Sequence, residues 1–161
     1  DDYQIIFTPG HSDGHVCFYH EQKGLLFSGD HLLSKITSNV SYWPGSAPDP
    51  LKNYLSSIKN NYRLDCRLVL PAHGDIFHNL RARIRQLAVH HVKRLKVMAN
   101  LAGRGTTAYE ICQQAFRKDI SFHELRFAMS ETLAHLIFLV NRGKLQVENH
   151  AGIYRYRMPG G

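Results

Sequence analysis

The chain has 161 residues, of which 43% are hydrophobic and 11% aromatic, enough apolar side chain to build a core as one average domain or two small ones. No apolar run approaches the roughly 18 residues of a spanning helix, and no basic segment followed by an apolar stretch opens the chain, so neither a membrane span nor a signal peptide is expected and a cytoplasmic location is the default. The formal net charge of +7 is uneven: residues 1–78 carry 6 Lys+Arg against 8 Asp+Glu, and residues 79–161 carry 14 against 5.

The first elements alternate strands with glycine turns. Tyr3-Gln4-Ile5-Ile6-Phe7 is β-branched and aromatic and reads as a strand that Pro9-Gly10 stops sharply, ahead of His11. His15 to His20 reads as a second strand, Glu21 to Gly24 as a hairpin turn, and Leu25 to Ser28 as a third strand that ends at Gly29-Asp30-His31. Residues 34–49 have the composition of an ordered loop, in which Trp43, the only tryptophan, is read as a cap on the core. Asp49-Pro50 starts a helix with Leu51, Tyr54, Leu55 and Ile58 on one face. A short strand, Arg67 to Leu70, then ends at Pro71-Ala72-His73-Gly74-Asp75. Strand, helix and strand in this order indicate an α/β layered sheet.

The second half is helical. One long pattern runs from about 79 to 101, with Leu80, Ile84, Leu87, His91, Leu95 and Met98 on one stripe. Capping boxes at Thr107–Glu110 and Ser121–Glu124 open two more helices, and Gly143 is the expected C-cap of the last. Lys144 to Arg157 reads as a two-stranded hairpin, which with the three helices makes a winged-helix-like arrangement. The break in charge and pattern places domains at 1–78 and 79–161, with 79–101 as a linking helix. Cys17, Cys66 and Cys112 are odd in number and in no C-x-x-C pair, so they are read as small buried residues and not as a disulfide framework.

His11, Asp30 and His73 each follow the end of a strand, and strand ends of like direction converge on one crevice in an open sheet. Two imidazoles and a carboxylate suit zinc, iron or manganese, and the carboxylate has two oxygens with which to bridge two ions. On its own His11 reads equally well as a turn histidine bonded to backbone; it is the other two that make it a candidate ligand.

Three motifs, Thr8 to His15, Phe27-Ser28-Gly29-Asp30-His31 and Leu70-Pro71-Ala72-His73-Gly74, resemble those of metallo-β-lactamase-fold hydrolases. Tyr42 to Ser46, His90-His91 and the run Glu131 to Leu136 resemble the branch that includes the β-lactamase-like protein 2 group, with its winged-helix-like C-terminal domain. The resemblance implies an α/β (α+β) chain, the second half of an αββα sandwich followed by that helical domain. It implies that His11 binds a first metal, His73 a second, and Asp30, the catalytic carboxylate, bridges them, with His15 supporting the turn through a hydrogen bond. It implies two Zn2+ in the intact site, with Fe or Mn as substitutes, and water activated for attack on an ester, thioester or phosphodiester; the substrates of the resembled proteins include small thioesters and single-stranded RNA. The His-x-His-x-Asp-His motif that supplies most ligands of such centres does not occur here. The expectation is therefore a fragment, inactive alone, whose partner is the missing N-terminal half of the same domain. The other reading is a nucleic-acid-binding or homodimerisation module built on the basic second half, with Arg142, Lys144, Arg155 and Arg157 as phosphate contacts.

Overall fold

A computed structural model of the chain describes residues 2–116 and 119–160. The chain divides into two compact units, Asp1–Val40 with Lys52–Val89, and Ser41–Leu51 with His90–Gly161. This division differs from the charge break at 78/79 because α2 (Leu80–Leu101) contributes its first turns to one unit and its last turns to the other, while the 41–51 loop joins the second.

In the first unit, strands β1 (Gln4–Phe7), β2 (Val16–His20), β3 (Leu25–Gly29) and β4 (Leu68–Pro71) form one sheet in that order. The first two pairings are antiparallel, and β3 with β4 is parallel, joined through α1 (Pro50–Asn61). A parallel pair needs such a crossover, and Pro50 at the first helical position starts it without losing a useful donor. Period-two alternation buries Cys17, Tyr19, Leu26 and Val69 on one face. The opposite face holds Ile5, Phe18 and Phe27, mutually in register and 70%, 43% and 40% exposed. By this topology the last residues of β1, β3 and β4 lie at one end of the sheet.

In the second unit, the two expected capping boxes are both formed. Thr107 caps α3 (Ala108–Ala115) with Glu110, and Ser121 caps α4 (Phe122–Val140) with Glu124. Gly143, at φ 63°, closes α4: its N–H donates to Val140 O and the Lys144 N–H to Leu139 O, both at 2.9 Å, the paired bonds of a Schellman ending. Strands β6 (Gln146–His150) and β7 (Ile153–Arg157) make the hairpin, turning at Ala151 and Gly152 with positive φ. The expected two-stranded ribbon is in fact a three-stranded sheet, β5-β7-β6, since β5 (Arg104–Thr107) pairs with β7. Gly105, at φ 80°, sits where the register slips and makes the bulge that lets the edge strand join. The core of this unit is built on Met98, Ile111, Leu136, Leu139, Leu145 and Tyr156.

His91 and His135 are buried inside this unit, with rings 5.3 Å apart and nearly parallel. His135 Nδ1–H donates to Glu131 O at 2.8 Å, so its Nε2 is left to accept from His91 Nδ1–H at 3.2 Å. That arrangement needs the His135 ring neutral. Burial first of all, with the neighbouring His90 and Arg94 adding to it, lowers His91 to about 3 and His135 to about 4. Among the described residues, Glu131 is the carboxylate beside the pair, and it faces Arg94 at 3.7 Å. Above the ordinary histidine value of about 6.5 neither state binds these protons, and stability is full. Below it the unfolded chain takes up protons that the folded chain refuses, at about 1.4 kcal/mol for each tenfold difference in proton affinity. Urea unfolding midpoints are therefore expected to be level above about pH 6.5 and to fall toward pH 4, with a shallower fall in the His91→Leu/His135→Leu double variant; equal slopes in the two proteins would refute this role for the pair.

Candidate metal centre

The turn after β1 is held open by backbone and closed by α1. Thr8 N–H donates to His15 O at 2.8 Å, and the fully buried Thr8 hydroxyl lies 2.8 Å from His15 Nδ1 and 3.4 Å from Cys17 Sγ. Gly10, at φ 141°, presses on α1 so closely that a β-carbon there would lie 2.4 Å from the Cα of Tyr54. Ser57 Oγ donates to Pro9 O at 2.9 Å and fixes the same approach. The loop is thus docked on a helix, and His11 leaves it in one direction.

His11 Nδ1–H donates to the carbonyl of Asn39 at 2.9 Å, which places the proton on Nδ1 and leaves the Nε2 lone pair free for an electrophile. Nε2 faces Asp30 Oδ2 at 3.9 Å, and His73 Nε2 faces the other oxygen, Oδ1, at 3.4 Å. The structure therefore brings together the three residues picked out by sequence, with one carboxylate oxygen toward each imidazole. His11 and Asp30 are about one-third exposed and His73 is 72% exposed, so all three can be reached from solvent. Among the described residues no group of three or more His, Cys, Asp or Glu side chains is arranged to hold one ion. One nitrogen and one oxygen on each side of a shared carboxylate fits part of the donor set of two ions, and does not fit a complete single site of four donors.

His15 and His31 lie behind this front row. Their rings are 5.8 Å apart, and His15 is 6.2 Å from His11. Burial, helped by the charge of His11 and opposed by Asp30, lowers His15; burial, with His15 and His11 adding to it, lowers His31 to about 3. Both shifts favour the neutral imidazole, so this second row adds little positive charge beside Asp30. Gly29, at φ 54°, would place a β-carbon 2.6 Å from His15 Nε2, so the strand end must be glycine for the imidazole to pass. Asp75 is turned away to an exposed ion pair with Lys35 at 2.7 Å.

Sequence reading did not find Asn39, whose part is played by a main-chain carbonyl, nor the contact of Tyr54 and Ser57 with the loop. The closeness of the Gly10 approach was visible only as a glycine. In the second unit, three of the four residues proposed for phosphate are occupied internally. Arg142 pairs with Asp49 at 3.1 Å, Arg157 with Glu148 at 2.6 Å, and Arg155 donates to Gly105 O at 2.9 Å.

Two family descriptions match the chain: "Metallo-beta-lactamase superfamily" over residues 1–73, and "Metallo-beta-lactamase-like, C-terminal domain" over residues 95–159. The chain belongs to the metallo-β-lactamase superfamily. A metallo-β-lactamase family protein from Thermus thermophilus superposes with a TM-score of 0.88 at 35% identity, covering 97% of this chain and 49% of that one. The probable metallo-hydrolase YqjP of Bacillus subtilis is 31% identical, over 84% of this chain and 44% of its own length. An atrochrysone carboxyl ACP thioesterase of Aspergillus fumigatus is 27% identical, over 70% and 38%. The chain thus spans less than half the length of these relatives. Its metallo-β-lactamase fold implies use of a divalent metal.

The docking of the loop gives a direct test. Gly10→Ala forces both a clash with the Tyr54 backbone and a strained φ, and is expected to cost about 3 kcal/mol or more in urea unfolding of the first unit. Gly14→Ala, four residues on, where a β-carbon meets nothing within 4 Å, should change stability by less than about 1 kcal/mol. Equal costs at the two positions would mean that the loop is not held by α1.

Proposed function

We propose that this chain supplies His11, Asp30 and His73 to the dinuclear centre of a metal-dependent hydrolase, with Asp30 bridging two divalent ions and the two histidines ligating one each. The observation that carries the reading is the division of the Asp30 oxygens, one toward each imidazole. Zinc suits this donor set, and iron or manganese would also be accepted. Bound there, such ions would supply Lewis-acid polarisation of a carbonyl or phosphoryl oxygen and a water activated near neutral pH. The chain's own groups do the positioning. The Asn39 carbonyl holds the His11 tautomer. Thr8 fixes His15 behind it, and burial keeps His15 and His31 from adding positive charge beside Asp30.

An acyl substrate, ester or thioester, is the favoured class. Support comes from the names of the relatives, one a thioesterase, and from the absence of a free basic surface where phosphate contacts were expected: of Arg142, Lys144, Arg155 and Arg157, only Lys144 has no protein partner among the described residues. A role for the winged-helix-like second half in binding single-stranded RNA, or in homodimerisation, has correspondingly less support.

In the protein that carries this chain, loaded with Zn2+, His11→Ala, Asp30→Ala and His73→Ala are each expected to lower kcat/KM on an acyl-thioester at least ~100-fold, and to lower bound zinc measured by mass spectrometry. Wild-type metal content in any of the three would remove that residue from the centre. Cleavage of single-stranded RNA with no turnover in a thioester panel would reverse the choice of substrate.

A further inference from the structure

The second unit contains a groove of about 480 Å³, within the range of small-molecule sites, that no part of the metal reading uses. Trp43 stands on its wall and, at 41% exposed, does not cap the core as its sequence suggested. The groove is built on fixed elements. Trp43 to Ser46 form a tight turn, with Gly45 at φ 90° and the Ser46 N–H donating to Trp43 O at 3.0 Å. That turn is pinned to α4 by Tyr42 N–H donating to Ser130 O at 3.0 Å and by the Ser130 hydroxyl donating to Ser41 Oγ at 2.9 Å. Facing it, Phe122, Leu125 and Leu133 make a lining that is almost wholly apolar. Phe122 is 73% exposed, which is costly for an aromatic ring with nothing to cover it.

One charge breaks this surface. The guanidinium of Arg126 lies 5.7 Å from the Trp43 ring centroid and makes no ion pair or hydrogen bond among the described residues. The carboxylates nearest in sequence are engaged elsewhere, Glu124 in capping Ser121 and Glu131 against Arg94. A cation with no ion pair among the described residues, beside an otherwise apolar trough, complements a ligand with an apolar body and a single anionic end.

We propose that this groove is a binding site for a small apolar carboxylate, its chain or ring on Trp43, Phe122 and Leu133 and its carboxylate on Arg126. Because Trp43 is the only tryptophan, its fluorescence reports occupancy directly. Decanoate, kept below its micelle-forming concentration and titrated into chelator-treated protein, is expected to shift Trp43 emission saturably, whereas decanol should bind at least ~10-fold more weakly. Arg126→Gln should weaken decanoate at least ~10-fold and leave decanol unchanged, and Arg126→Lys should stay within ~3-fold of the parent. Metal removal keeps this assay separate from the fate of the metal centre. Unsaturable shifts, equal binding of decanoate and decanol, or wild-type decanoate binding by Arg126→Gln would overturn the proposal. So would a shift that follows protein concentration together with a doubled mass in sedimentation, which would put a second copy of the chain in the groove.

Discussion

The site depends on one close approach, that of Gly10 to the backbone of Tyr54 on α1. Contact at this distance is open only to a residue without a β-carbon, and it turns an eight-residue connection between β1 and β2 into a rigid shelf. Everything placed on the shelf inherits its rigidity. Ser57 holds Pro9, Thr8 holds His15, and His11 is left to reach Asn39 with one nitrogen and the Asp30 side with the other. The helix therefore does more than bury an apolar stripe. It fixes the direction of an imidazole that lies far before it in the chain.

The electrostatics follow from the same packing. A carboxylate surrounded by imidazoles would ordinarily draw protons onto them and form internal ion pairs. Burial prevents this for His15 and His31, which are driven toward neutrality. His15 and His31 thus add little counter-charge to Asp30, whose two oxygens face the Nε2 atoms of His11 and His73. Such a cluster offers carboxylate oxygens and imidazole nitrogens, a donor set that suits a divalent transition metal. A glycine at position 29 is part of that balance, because any side chain there would displace His15.

Local chemistry was legible wherever it was carried by side chains close in sequence. Both capping boxes, the Gly143 helix ending, the Pro50 start and the strand stops before His11, Asp30 and His73 follow from short-range rules, and the structure has them. What was not legible depended on distant backbone. β5, Arg-Gly-Thr-Thr, is too short and too glycine-broken to read as a strand by itself, and pairs along the edge that β7 offers. Asn39 acts through a carbonyl, which has no residue-type signal. Trp43 was read by the general burial of large aromatics, yet the turn that holds it presents its ring to a groove. Arg142, Arg155 and Arg157 were read by charge alone, and charge does not show that Asp49, Gly105 O and Glu148 already hold them.

The exposed row Ile5, Phe18 and Phe27 bears on the metal centre as well as on the sheet. Side chains on one face of a sheet that are this large and this apolar call for a packed layer, because contiguous apolar surface left in water is unfavourable by about 25 cal/mol per Å². Strands with both faces apolar, such as Leu25-Leu26-Phe27, have the composition of strands covered on both sides. The residues at the ends of these same strands include Asp30 and the shelf that carries His11. A layer packed on that face would also stand beside His11, Asp30 and His73, so that under the proposed reading of these residues as ligands, burial of the sheet and completion of the donor set would be met from the same side.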